Sequence, residues 1–211
     1  SEADSVIDRA HVEAKSVENG VALVKLMGRE AGYIAAASTI ASGHVNFCLI
    51  PEVPLVLEGE RGLLPKLKNR LAAKGHAVIV VAEGAGQDLL DCANSSDASG
   101  NRRLTDIGPW LKARICEYLE NQNVPVSLKY FDPSYHIRSV AANTADALLC
   151  EQLARNAAHA AMAGKTDLLV SFWNNHFIHV PLEVSTGHLK RIDPRSDLWS
   201  AVLALTGQDR W

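Results

Sequence analysis

The chain has 211 residues, 47% of them hydrophobic and 21% charged, with 21 Lys and Arg against 24 Asp and Glu for a formal net charge of −3. That size and balance describe a globular protein able to bury a core, and they exclude the basic footprint that bulk nucleic-acid binding requires. No apolar run approaches the length of a membrane span and Ser1-Glu2-Ala3-Asp4 carries no signal-peptide pattern, while four scattered cysteines (Cys48, Cys92, Cys116, Cys150) read as isolated thiols of a reducing cytoplasm, without disulfide or metal roles.

In chain order, residues 2–17 read as an amphipathic helix, with Val6, Ala10, Ala14 and Val17 near helical spacing and Asn19-Gly20 as its stop. A chain that begins inside a helix is an unusual natural start. A strand over 21–26 leads through Met27-Gly28-Arg29 into a helix over 31–42. A second strand over 45–50 closes at Pro51, residues 51–60 form a loop, and a helix near 61–73 follows. His76 to Ala82 is a third strand, apolar along its length as in a parallel sheet covered on both faces. Strand, helix, strand, helix, strand predicts a doubly wound, mostly parallel α/β sheet with flanking helices.

Residues 91–101 are rich in turn formers and are expected to form a surface loop without a metal site. A helix over 104–120, a strand over 126–131, an Ala-rich helix near 143–163, a hairpin of 168–173 and 177–180 around 174–176, and a last helix over 196–206 complete the chain.

Three predicted strand ends carry polar groups. In open α/β sheets ligands gather beyond the carboxyl ends of strands. At the first end stands Arg29, where Gly28 and Gly32 would let backbone approach a ligand and the opening N–H groups of the next helix attract anions. The bland alternative is turn chemistry with a solvated Arg. At the second stands Glu83 before Gly84-Ala85-Gly86, able to accept hydrogen bonds from sugar hydroxyls, or else a loop or capping glutamate. At the third, Asp132-Pro133-Ser134 turns the chain into Tyr135-His136-Ile137-Arg138. Two arginines with Lys129 suit a phosphate dianion, and Glu83 and Tyr135 suit hydroxyls, so the composite ligand is a sugar phosphate.

Several motifs, in order along the chain, resemble the 6-phosphofructokinase family in its plant and microbial branch. They are Leu26-Met27-Gly28-Arg29 with Gly32, Leu49-Ile50-Pro51-Glu52, Val80 to Gln87, Asp97-Ala98-Ser99-Gly100-Asn101, and Asp132 to Arg138. The resemblance implies a two-lobed, Rossmann-like kinase of glycolysis that uses ATP and Mg2+ to phosphorylate the 1-hydroxyl of fructose 6-phosphate. It implies that Met27, Gly28, Arg29, Glu83, Tyr135, His136, Ile137 and Arg138 line the fructose 6-phosphate site. Lys129 matches an arginine that, in shorter bacterial relatives, reaches the 6-phosphate from a neighbouring subunit.

The family's Gly-Gly-Asp-Gly nucleotide loop and its Thr-Ile-Asp-Asn-Asp catalytic motif are not in this sequence. The expectation is therefore the C-terminal part of a longer kinase, inactive by itself, with no catalytic residue of its own and with nucleotide and magnesium bound mainly elsewhere. Residues 1–139 would form the sugar-phosphate lobe, and 140–211 a segment packing on the missing lobe. A homo-oligomer in the cytoplasm is implied. A non-catalytic sugar-phosphate-binding regulatory module, or a pyrophosphate donor, is the alternative.

Overall fold

The computed structural model describes residues 2–90, 104–187 and 189–209. The predicted loop over 91–101, with the Asp97–Asn101 motif, lies outside the described residues. The chain divides into two compact units, one of residues 1–138 with 191–211 and one of residues 139–190.

In the first unit the chain runs α1 (Glu2–Lys15), β1 (Gly20–Leu26), α2 (Tyr33–Ser42), β2 (Phe47–Leu49), α3 (Leu63–Lys74), β3 (His76–Ala82), α4 (Ile107–Asn121), β4 (Ser127–Phe131) and α5 (Ser134–Arg138). The four strands form one parallel sheet in the order β2-β3-β1-β4. Alternate residues of each strand point to opposite faces. Ala22, Val24, Leu26, Val78, Val80 and Ala82 join a core with α1 and α2, while Val21, Leu23, Ala77, Ile79 and Val81 join a second core with α3 and α4. Burial on both faces is the physical reason that β1 and β3 read as continuous apolar runs.

β2 is shorter than the predicted 45–50 because a side chain replaces the first rungs. The Asn46 N–H donates to the Val78 carbonyl at 2.9 Å and Asn46 Oδ1 accepts the Val78 N–H at 2.9 Å. α4 starts later than residue 104, at Ile107, since Asp106 caps it by accepting the Gly108 N–H at 3.0 Å.

A last helix, α8 (Asp197–Thr206), also belongs to the first unit. Residues 191–211 return to the sheet of the first unit. Trp199 and Val202 are buried in the core of α1 and α2. Gln208, buried beyond the helix, accepts the Cys48 N–H at 2.7 Å and donates to the Cys48 carbonyl at 3.1 Å. One side chain thus satisfies the outer edge of β2, which would otherwise present unpaired backbone groups.

The second unit contains α6 (Thr144–Met162), an antiparallel hairpin of β5 (Leu168–Trp173) and β6 (His176–Pro181), and α7 (Leu182–Thr186). The hairpin turn is tighter than the predicted 174–176. Asn174 and Asn175 alone make it, with φ of 48° and 63°, a conformation that asparagine tolerates better than most residues.

Candidate functional site

The strand order brings the three polar strand ends to one edge. β1 lies between β3 and β4, so Leu26 and Ala82 end side by side and Phe131 ends next to Val24, two residues short of them, neighbouring strands being about 4.8 Å apart. β1 leads into α2 on one face, whereas the chain after β3 leads into α4 on the other. The β1/β3 boundary is therefore a topological switch point, where open α/β sheets have their ligand crevice. Met27–Arg29 and Glu83 stand on its two sides.

The base of that crevice is stitched by backbone. The Glu83 N–H donates to the Leu26 carbonyl at 2.9 Å and the Gly84 N–H to the Gly28 carbonyl at 3.0 Å. Glu83 Oε1 accepts the Gly28 N–H at 3.4 Å, and its carbonyl accepts from Gln87 Nε2 at 2.9 Å. A Cβ on Gly84 would lie 1.8 Å from the Arg29 carbonyl oxygen. Gly28 has a φ of +146°, and a Cβ there would lie 2.6 Å from the Ala31 oxygen. Gly84 thus lets the two loops meet, and Gly28 lets its own loop fold back on Ala31.

Gly32 and the opening turn of α2 differ from expectation. Both carboxylate oxygens of Glu52 accept the Gly32 N–H, at 3.0 and 3.1 Å, and Oε1 accepts the Ile192 N–H at 2.8 Å. A Cβ on Gly32 would meet Ile50 at 2.3 Å. The anion at this helix N-terminus is thus the protein's own Glu52, which ties β2's exit to the returning C-terminal segment.

Tyr135 to Arg138 form α5 at the end of β4. Tyr135 is 73% exposed, and the Arg138 guanidinium stacks on its ring, 4.5 Å from the centroid. His136 is exposed as well. Ile137 packs against the core of α1 and α2, so it anchors the helix and its flanking residues point outward. Arg29 is exposed at the β1 end and Met27 is half-buried.

Lys129 stands apart. It pairs across the ladder with Ala22, four residues back from the end of β1, and its ammonium is paired with Glu13 of α1. At about 3.3 Å per residue, four residues place it about 13 Å below that edge.

Sequence reasoning missed a charged network behind the site. Lys25, with a side chain only 11% exposed, lies 2.9 Å from Asp132 Oδ2 and 3.1 Å from Asp106 Oδ1. The Tyr130 hydroxyl donates to Asp106 at 3.2 Å. Burial opposes the Lys25 charge, but hydrogen bonds to Asp132, Asp106 and Tyr130 outweigh it and hold its pKa above the ordinary lysine value. Burial is the main cause that pushes the Tyr130 phenol up to about 12, with Lys25 pulling the other way. For Asp132, burial is outweighed by hydrogen bonds from Ser134 and Lys25, and its pKa is lowered. The available signal was a lysine inside an otherwise apolar strand, since a buried charge requires partners.

A phosphofructokinase family model matches residues 1–161, about three quarters of the sequence and all of the strands that build this edge. The chain belongs to the phosphofructokinase family. It is 45% identical to the ATP-dependent 6-phosphofructokinase of Borreliella burgdorferi over 98% of this chain and 48% of that protein. Against ATP-dependent 6-phosphofructokinase 5, chloroplastic, of Arabidopsis thaliana it is 44% identical, over 98% of this chain and 38% of the other. The chain thus spans half or less of the length of these curated relatives. Among solved structures it resembles a pyrophosphate-dependent phosphofructokinase from Marinobacter aquaeolei, with a TM-score of 0.68 at 18% identity over 97% of this chain and 53% of that one. That likeness establishes the α/β fold, with a mostly parallel sheet flanked by helices.

Among the described residues no helix is long and apolar enough to cross a membrane. Cys48, Cys116 and Cys150 are free thiols. Among the described residues no three His, Cys, Asp or Glu side chains gather as a metal-ligand set. The described residues do not by themselves supply a magnesium centre.

Proposed function

We propose that this chain supplies the fructose 6-phosphate-binding part of a 6-phosphofructokinase that transfers a phosphoryl group from ATP to the sugar 1-hydroxyl. The observation that carries the reading is the meeting of Met27–Arg29, Glu83 and Tyr135–Arg138 at one sheet edge, across a topological switch point. Arg29 and Arg138 supply fixed positive charge for the phosphate. Glu83, already turned toward the Gly28 N–H, and Tyr135 supply partners for hydroxyls. Ile137 holds the third wall to the core. Lys129 has no place in this pocket of its own chain; a contribution across a subunit boundary fits its exposed position in an edge strand, and we infer a homo-oligomer on that ground and on family resemblance.

The nucleotide, Mg2+ and the catalytic aspartate are assigned to polypeptide outside this chain, because the two motifs that would hold them are not in this sequence. Residues 139–190 are the segment we assign to packing against that other part. ATP is the proposed donor, since the relatives at 44% and 45% identity carry that donor in their names. The cytoplasm is the proposed compartment, on the free thiols.

Calorimetry with fructose 6-phosphate tests the site. Arg29→Ala should weaken binding by about 1.5–3 kcal/mol, the range of a charge-assisted hydrogen bond. Glu83→Gln should weaken sugar binding with little change in melting temperature. Unchanged affinity in both variants removes these walls from the site. Phosphoryl transfer by the chain alone would overturn the division of labour, whereas binding that persists without transfer in the longest polypeptide carrying this chain would favour a regulatory module.

A further inference from the structure

We propose that Lys25 is a positioning residue that sets the spacing between two walls of the sugar-phosphate site by clamping Asp132, at the entrance of α5, to β1. The inference rests on the reading of the site given above. Lys25 precedes Met27 by two residues, and Asp132 precedes Ser134 by two, so the ion pair lies directly behind both walls.

The ladder explains why a clamp is needed there. β4 pairs with β1 from Gly20↔Ser127 to Val24↔Phe131 and stops. The next rung would be Lys25 with Asp132, and at that position the side chains meet at 2.9 Å in place of the backbone. Beyond it the chain makes only the five-residue α5, too short to hold itself as an isolated helix. Ile137 on the core and Asp132 both hold it in place. Asp132 uses both oxygens: Oδ2 meets Lys25, while Oδ1 accepts the Ser134 N–H at 3.3 Å and the Ser134 hydroxyl, closing the first turn of α5.

The same ammonium reaches Asp106, the cap of α4, and lies 6.0 Å from the Tyr130 ring centroid. One half-buried cation therefore holds two carboxylates that would repel one another without it, and ties the start of α4 and the start of α5 to β1. Its raised pKa means that the clamp stays charged through the physiological range.

The test compares Lys25→Met, which keeps the apolar stem and removes the charge, with Lys25→Arg, which keeps it. Fructose 6-phosphate affinity is measured by calorimetry, and amide hydrogen exchange is measured across residues 134–138. Lys25→Met should lower affinity about tenfold and speed exchange across α5, with exchange in β3 unchanged. Lys25→Arg should restore both to near the unaltered values. If Lys25→Met does not fold, Asp132→Asn is read in the same way, since it keeps an acceptor for Ser134 and loses the ion pair. Unaltered protein that binds fructose 6-phosphate, with affinity unmoved in the Met or Asn variant, overturns the role of Lys25 alone. Unaltered protein that does not bind overturns the sugar-phosphate reading, and the clamp's function with it.

Discussion

The two units use similar sequence material to different ends. In the first, α1 buries Ala3, Ile7, Ala10 and Ala14, and β1 and β3 bury nearly every residue. In the second, α6 is longer, at 19 residues, and richer in alanine and leucine than α1, yet Ala160 is the one described residue of the whole unit counted as buried. Leu148, Met162, Phe172 and Trp173 are 59%, 86%, 46% and 67% exposed. Helical and strand periodicity arise from local sequence in both, but burial arises only where a second layer covers the apolar face. The first unit has helices on both faces of its sheet, so its strands are dry. The hairpin of the second has apolar side chains at solvent-accessible positions, the kind of surface that marks an interaction face.

Trp199 and Trp173 give the widest test of this contrast. Trp199, 2% exposed, locks α8 onto α2, and Trp199→Ala should destabilise the first unit by about 3–5 kcal/mol in chemical denaturation. Gly84→Ala comes next. Its new methyl would meet the Arg29 carbonyl, and the loops must part, so a loss of about 1–3 kcal/mol is expected, with weakened sugar-phosphate binding in the same variant.

A smaller, pH-dependent effect belongs to the opposite edge of the sheet. His11 of α1 stacks on His44 at 4.3 Å and meets His76 of β3 edge-on at 5.2 Å, and its Nδ1 is buried without a partner. Burial, then His44, His76 and Lys15, lower its pKa below the ordinary 6.5, with Asp8 opposing them. A base whose folded pKa is lowered binds its proton more readily when unfolded, so stability is full above pH 6.5 and falls as pH drops below that value. Melting temperatures between pH 8 and pH 5 should show the decline, and His11→Gln should flatten it. An unchanged slope in that variant assigns the decline to other groups. The smallest effect is Trp173→Ala, within about 0.5 kcal/mol by denaturation of the chain alone. A loss there as large as that of Trp199→Ala would erase the distinction between the units. A loss that grows when a longer polypeptide covers the hairpin would sharpen it.

Much of the candidate site was legible in sequence for a simple reason. Strand ends are marked by the change from apolar to polar residues, and Arg29, Glu83 and Tyr135 stand just past such changes. The roles of the glycines and of Glu52 were less legible, since both depend on what lies across a gap. Gly32 is opposite Ile50 and Glu52, and Gly84 is opposite Arg29, pairs separated by 18 to 55 residues in the chain. Lys129 illustrates the same limit: its charge suits a phosphate, but its register opposite Ala22 turns it toward Glu13.

The sequence by itself determined the alternation of strands and helices, the parallel character of the sheet and the family, because these depend on local apolar periodicity and on ordered short motifs. Only the tertiary structure decided that α8 returns to the first unit, that Glu52 fills the helix N-terminus, and that Lys25 meets Asp132 and Asp106. Each of those is a contact between residues far apart in the chain, fixed by strand order and register, which no local pattern encodes.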